Sequence, residues 1–499
     1  MVLAAIDAGT TAIRCMIVDE KGEALAISKA NMNYAIPTYL EIAREFDSPR
    51  FWKLVCSVVK KAIKGSGIQS SDLVAVAATS QRHGIVLLDS EGNELHGGPN
   101  IDARGALTQY LIDESLGATY HEISGCWPPM MFAPSRLSWF EEEEPETYGK
   151  IAHLLPICDW ITFRLSGVYT TDTSSASATG FLDIRTNKWS EEIASALDVD
   201  MNLLPPIREA GEVVGEVTSK AGKECGLPKG LPVIQAGADT HCALLACDSK
   251  VGEITAIAGS TAPVIMILNH HPSVPDQRIW TGTHVKKGQW VLESNATLTG
   301  AVLEWVVQFL CERSENPIKC KQATFDCLDE LVKGIPPGSE ETFVALGPNV
   351  MDCQQMADIK QAKMIFPQPA LPQVTPLNSA SMIHAVLENV AFAIRGNIEQ
   401  LQEYGQSTGV KTIGGMTKSE TWPQLLANVL KQPINVPTQT EGSLLGAAIC
   451  AATGAGNYPS IDKASKAMVR WRPTYHPDTR AESYDRYYSK WSRLQSQGD

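Results

Sequence analysis

The 499-residue sequence predicts an α/β protein made of two similar domains. Two observations predict it. Strand-like and helix-like stretches alternate along the chain. Two motifs of one kind also recur about half a chain apart. The first is Asp7-Ala8-Gly9-Thr10-Thr11, between the apolar runs Val2–Ile6 and Ile13–Val18. The second is Gly259-Ser260-Thr261, between Ile254–Ala258 and Ala262–Met266. Each reads as a strand, a tight polar turn and a returning strand.

The first turn has the chemistry to hold the end of a nucleoside triphosphate. Gly9 lets backbone amides approach a ligand, and Thr10 and Thr11 add hydroxyl donors. Asp7 can reach a Mg²⁺ that neutralises phosphate charge. Taken alone, the motif reads equally well as a β-hairpin with a polar tip. The second copy tips the balance toward two domains facing one another, with a nucleotide cleft between them. The chain has no G-x-x-x-x-G-K-[ST] motif, which excludes a P-loop protein. It also lacks G-x-G-x-x-G after the first strand, which argues against a dinucleotide fold.

The elements follow in order. Residues 1–30 read as a hairpin, and Phe51-Trp52 through Ile63 as a helix. Val74–Ala78 is a buried strand of small residues running into Thr79-Ser80-Gln81-Arg82-His83-Gly84. Ile85–Asp89 is a strand turned at Ser90–Asn93, and residues 135–166 read as largely helical. A second α/β unit opens near 245–253. Its helix from Met382 to Leu401 carries apolar positions at 382, 383, 386, 387, 390, 391 and 394, a helical spacing. Thr412–Ser419 is a strand that opens through Gly414 and Gly415 into a helix. The aromatic tail with Trp471, Tyr475, Tyr484, Tyr487, Tyr488 and Trp491 reads as a terminal helix docked on the body. The expected domains are 1–245, 246–455 and a tail over 456–499.

With 44% hydrophobic residues the chain can bury large cores. A formal charge of −14 argues against nonspecific nucleic-acid binding, which needs a basic surface. The 12 cysteines show no C-x-x-C and no regular spacing, so reduced thiols are expected and no zinc site is readable. No apolar run approaches the roughly 18 residues of a membrane span. The N-terminal residues run into a strand with no basic region or cleavage site, so a cytoplasmic protein that does not engage a membrane is expected.

These pieces resemble the FGGY carbohydrate kinases, a branch of the actin-like ATPases with ribonuclease H-like domains. The resemblance runs through Asp7–Thr11, Gln81–Gly84, Asn100-Ile101-Asp102-Ala103-Arg104, Asp159-Trp160-Ile161 through Gly167 and Thr171–Ser177. It continues through Gly237-Ala238-Asp239, Gly259-Ser260-Thr261, Gly414-Gly415 with Lys418–Trp422, and Leu445-Gly446-Ala447-Ala448. Asn100–Arg104, Ser80-Gln81-Arg82 before Gly84–Leu87, and Val469-Arg470-Trp471 are similar to the autoinducer-2 kinase branch. His83 departs from that branch, which has glutamate there, and is instead like xylulokinase. Glycerol kinases share Arg82 but not His83, and their substrate-contacting tyrosine falls at Met131. The segment 343–381 also departs, with Phe366-Pro367-Gln368-Pro369-Ala370-Leu371-Pro372 in place of the usual loop.

The resemblance implies ATP-dependent phosphorylation of a hydroxyl on a sugar or polyol of about four to six carbons, through Mg²⁺-assisted in-line transfer and domain closure. Asp239 takes the place of the family's catalytic aspartate; from the residues alone it reads as a helix N-cap. Asp7 is implied as the Mg²⁺ partner, the alternative being a turn-stabilising aspartate. Thr10, Thr11 and Arg14 would contact phosphate oxygens, Arg14 being equally a surface cation. Gly259 and Ser260 would hold phosphates from the second domain. Gly414, Gly415 and Lys418 belong to the implied ATP site, adenosine lying against the glycine backbone; the alternative is a tight strand–helix turn. Arg82, His83 and Asp102 would face the sugar, whose hydroxyls suit carboxylate and guanidinium partners. The alternatives are a core histidine and an Asp102–Arg104 structural pair. Asp159, Trp160 and Glu388 read as architectural, and His241 and Cys242 as neighbours of the base. An autoinducer-2-like hydroxyketone or polyol ranks first as acceptor, then a ketopentose such as xylulose, then glycerol. A homodimer is compatible with the resemblance. A nucleotide-dependent binding protein on the same scaffold would not need Arg82, His83, Asp102 and Asp239. A catalytically dead relative would not need both Asp7 and Asp239.

Overall fold

Val2–Ala8 and Ala12–Asp19 are apolar runs buried almost throughout, joined by three residues that turn the chain back. They pair antiparallel, with Asp7 opposite Arg14. Ala24–Asn31 extends the predicted hairpin to three strands. The small side chains of Leu73–Ser80 let that strand lie parallel to the first, with Thr79 beside Asp7. The computed structural model describes residues 1–356, 361–368 and 377–496. Within it the chain forms two units. The first holds Met1–Asp248, Leu268–Val291 and Glu441–Arg470; the second holds Ser249–Ile267, Leu292–Thr440 and Trp471–Asp499.

The first unit is organised on a six-stranded sheet in the order Val213–Glu216, Pro232–Ile234, Leu73–Ser80, Val2–Ala8, Ala12–Asp19, Ala24–Asn31. Helix Ser48–Ser66 packs Phe51, Trp52, Val55, Val58 and Val59 into its core, alongside Trp160 and Ile161. Asp47 caps that helix through the Arg50 N–H, and Gly67 ends it in the left-handed region. The stretch expected to be largely helical is interrupted. Between helices Ala133–Glu143 and Ile157–Ser166, the apolar pair Leu154-Leu155 lies in a strand, His153–Pro156, paired with Ile85–Leu88.

The second unit repeats the pattern. Glu253–Ile257 pairs antiparallel with Thr261–Leu268 and parallel with Gly409–Ile413. Five strands lie side by side in the order Trp290–Leu298, Thr261–Leu268, Glu253–Ile257, Gly409–Ile413, Ile434–Asn435. The predicted long helix spans Ser379–Gln402 and is buried along most of its length. In the tail, Tyr484 and Trp491 are buried while Trp471 is exposed. The departure at Pro369–Pro372 lies outside the described residues.

Four cysteines correct the expectation of free thiols. Cys56 is joined to Cys225, and Cys311 to Cys320, in disulfides. The partners are 169 and 9 residues apart, and no sequence spacing marks the longer pair. Among the described residues no helix is long and apolar enough to cross a membrane.

Candidate active site

In the first unit the strand carrying Asp7 places its carboxylate in a buried setting. Asp7 Oδ2 accepts a hydrogen bond of 2.8 Å from Ser443 Oγ and lies 3.5 Å from Arg14 Nη1. Arg14 also pairs with Glu441 at 3.2 Å. Among the described residues Oδ1 has no hydrogen-bond partner. Burial pushes the carboxyl up, and Arg14 and Ser443 partly offset it. A buried carboxylate with one oxygen left over fits a hydrated Mg²⁺. Among the described residues no three His, Cys, Asp or Glu side chains gather as a metal cage. Thr10 exchanges hydrogen bonds of 3.0–3.2 Å with Asn100, and its carbonyl accepts from Tyr34. Thr11 is exposed at the turn.

Thr79 connects this turn to Asp239. It sits beside Asp7 in the sheet, and its hydroxyl donates to the Gly237 carbonyl at 2.7 Å. Asp239 is the first residue of helix Asp239–Ala246; Ala238, not Asp239, is the N-cap. The backbone there is held from below. Asp172 caps helix Thr173–Thr179, Ser174 Oγ donates to Asp172 at 2.7 Å, and that same Oγ accepts from Ala238 N at 3.1 Å. Gly237 has to be glycine, since a Cβ would lie 2.1 Å from Val285 and 2.6 Å from Ser174 Oγ. Asp239 is half-buried, and its Oδ1 accepts from Thr240 N at 2.7 Å.

Arg82 and His83 line a recess within the same unit, whose wall also includes Ser80, Cys158, Ser175 and Ala238. His83 Nδ1 lies 2.9 Å from the Ala178 carbonyl. A carbonyl only accepts, so Nδ1 carries the proton, and Nε2 of the neutral ring is an acceptor. Burial, then the Arg82 charge, lowers the His83 pKa to about 3, so the ring stays neutral at working pH. Its backbone is left-handed, with φ 65°, and Arg136 donates to its carbonyl at 2.8 Å.

Asp102 is not among the residues lining that recess. It is buried and paired with Arg104 at 2.9 Å, the structural alternative left open by the sequence. Burial alone would raise its carboxyl, but His96, Arg136 and Arg104 overcome that and hold it at about 2. His241 lies within 3.3 Å of His284, both buried, and burial with Arg82 lowers His241 to about 3.

In the second unit Gly259 and Ser260 form the hairpin tip, and Gly414 lies against its root. Gly414 has φ 116°, and a Cβ there would come within 2.6 Å of the Ala258 carbonyl. Met416 N donates to that carbonyl at 3.0 Å. Gly415 has open space around it, and Lys418 is exposed at the end of the short turn after it. The Gly259 carbonyl also accepts from Gly300 N, the start of helix Gly300–Cys311.

Ser443, Glu441, Gly300 and Trp280 also contact these residues and are not singled out by any sequence motif. Glu441 and Ser443 stand just before the small-residue motif Leu445–Ala448, which was the available clue. Trp280 carries no spacing signal.

Duplicated hairpins with adjoining glycine turns, and an aspartate-led helix beside a recess lined by Arg82 and His83, are compatible with a phosphotransferase acting on a small hydroxylated acceptor. The chain belongs to the FGGY family of carbohydrate kinases. It matches the family's N-terminal domain over residues 2–246 and its C-terminal domain over 254–455. It is therefore an enzyme that phosphorylates a carbohydrate with ATP. Among its relatives is an autoinducer-2 kinase of Escherichia coli (strain K12), 29% identical over 99% of this chain and 93% of the relative. An autoinducer-2 kinase of Yersinia pestis bv. Antiqua (strain Angola) is 30% identical over 96% and 90%. The fold is that of the xylulose kinase from Rhodospirillum rubrum, with TM-score 0.83, 24% identity, and coverage of 99% and 98%. Plasmodium falciparum glycerol kinase with ADP gives TM-score 0.83 at 17% identity, with the same coverage.

Proposed function

We propose that the protein transfers the γ-phosphoryl group of ATP to a hydroxyl of an autoinducer-2-like linear hydroxyketone or polyol, with Asp239 as the base. The observation that carries this reading is the placement of Asp239 at the start of its helix, next to Ala238 in the wall of the recess that Arg82 and His83 also line. Two curated relatives named autoinducer-2 kinase, similar over nearly the whole chain, support the acceptor class. His83 favours a ketopentose such as xylulose as the second acceptor.

Arg82 donates to acceptor oxygens, and His83 Nε2 accepts from an acceptor hydroxyl. Asp239 takes the proton of the reacting hydroxyl, whose oxygen then bonds to the γ-phosphorus as the bond to the ADP oxygen breaks. Thr10, Thr11, Arg14, Gly259 and Ser260 bind phosphate oxygens, and Gly414, Gly415 and Lys418 hold the adenosine end. Asp7 would hold Mg²⁺, which supplies neutralisation of the phosphate charge. Asp102 serves the site by fixing Arg104 in the fold.

An ADP-release screen over tetritols, xylulose, glycerol and the autoinducer-2 precursor tests the acceptor, with the precursor expected to give the highest kcat/KM. Greater release with xylulose would move the assignment to that class. Asp239→Asn is expected to lower turnover by a factor of about 10³ or more while ATP binding persists. A variant retaining a tenth of the rate would remove Asp239 from the role of base.

A further inference from the structure

Trp280 touches both side chains assigned to the acceptor. Its ring centroid is 5.6 Å from that of His83 at an interplanar angle of 70°, and Arg82 Cζ lies 5.8 Å from its centroid. Phe132 closes the other side, 4.9 Å from His83 and 5.9 Å from Trp280. The indole is itself anchored, since Trp280 Nε1 donates to the Trp127 carbonyl. Trp280 is 7% exposed. One rigid ring thus lies under a guanidinium and meets a neutral imidazole in a T-shaped arrangement. Both arrangements are attractive for an aromatic quadrupole.

We propose that Trp280 is a positioning residue of the acceptor site, setting the directions of Arg82 and His83 and so deciding which acceptor they fit. This rests on the reading of Arg82 and His83 as acceptor-binding. Removing the ring takes a contact from each side chain, and the rotamer freedom regained then has to be frozen by the acceptor.

The experiment is steady-state kinetics of the full-length enzyme with ATP and either xylulose or the autoinducer-2 precursor. Trp280→Leu is expected to raise acceptor KM about tenfold or more, with kcat and ATP KM within threefold. Trp280→Phe keeps a ring and is expected to stay within about threefold on every constant. In an Arg82→Ala/His83→Ala background Trp280→Leu is expected to add less than twofold, because the groups it positions are gone. Should Trp280→Leu not fold, Trp280→Met carries the comparison, with the same expected rise in acceptor KM and the same loss of that effect in the Arg82→Ala/His83→Ala background.

Equal losses for acceptor and ATP, or full additivity in the double background, would overturn the proposal. So would Phe and Leu variants that behave alike. If Arg82→Ala/His83→Ala leaves acceptor KM unchanged, the acceptor-site reading itself fails. If that pair raises KM and Trp280→Leu does not, only the role of Trp280 fails.

Discussion

Gly446 meets the backbone of Cys242 so closely that a Cβ on it would stand 1.9 Å from the Cys242 carbonyl oxygen. The contact joins helix Gly442–Gly454, whose first turn carries Ser443 to Asp7, to helix Asp239–Ala246. Neither backbone can yield without moving one of the two carboxylates. Gly446→Ala is therefore expected to cost about 1–3 kcal/mol through overpacking. Its turnover should fall on the order of 100-fold, as misplacement near 1 Å does. Thermal melting and ADP release check the two parts separately. A variant with wild-type stability and rate would show that the crossing does not set the site.

The Asp7–Ser443 contact separates two roles. Asp7→Asn removes the charge that would hold Mg²⁺. Ser443→Ala removes only a hydrogen bond that orients it. Ser443→Ala is expected to raise the Mg²⁺ concentration for half-maximal rate about tenfold, the usual effect of an outer partner. Asp7→Asn should raise it further. Mg²⁺ titrations at fixed ATP check the order, and an unchanged Mg²⁺ requirement in Asp7→Asn would exclude it as the metal partner.

The disulfides make a countable prediction. Denatured, unreduced protein should take up eight alkylating groups, one for each free cysteine, and reduced protein twelve. Intact-mass measurement reads both. The Cys56–Cys225 link closes a loop spanning 169 residues and ties helix Ser48–Ser66 to helix Ser219–Cys225. In chain-entropy terms that is worth about 5 kcal/mol. Cys56→Ser should accordingly lower the melting temperature more than Cys320→Ser, whose loop is short.

Local chemistry made much of this legible. The two hairpins announce themselves because a polar glycine-containing tip between apolar runs has few other folds. The long helix Ser379–Gln402 shows in its 3.6-residue apolar spacing. What stayed hidden depends on partners far along the chain. Asp102 was readable either as a sugar ligand or as the partner of Arg104. In the structure it is buried beside His96 and paired with Arg104, which Glu45 also binds. Ser443 reaches Asp7 across 436 residues. Strand His153–Pro156 is too short to carry a period and exists because Ile85–Leu88 offers it an edge.

Glu388 gives the stability a pH dependence with a definite sign. Its Oε1 accepts from Gly338 N at 2.8 Å and its Oε2 from Ser339 Oγ at 2.7 Å; His384 Nδ1 is 2.8 Å from that same Oγ. Tyr484 also bonds to it. Together they hold a turn in which Ser339, Glu340 and Glu341 all have positive φ. Burial outweighs these hydrogen bonds and raises the Glu388 pKa from 4.5 to about 7. The native state therefore keeps a proton that the unfolded chain has released. The stabilisation is full below about pH 4.5 and is lost as pH rises through about 7. A shift from 4.5 to about 7 corresponds to about 3 kcal/mol. His384 opposes it: burial, then Arg480, lowers its pKa from 6.5 to about 4, so its contribution is present above 6.5 and lost as pH falls through 4. The two slopes overlap, and the difference between wild type and Glu388→Gln isolates the first. That difference in unfolding free energy is expected to shift against the wild type by up to about 3 kcal/mol from pH 4.5 to pH 8, read from denaturant midpoints. The remaining slope of Glu388→Gln should run the other way, with stability rising between pH 4 and 6.5. A difference that does not change with pH would mean that Glu388 titrates alike in the folded and unfolded chain.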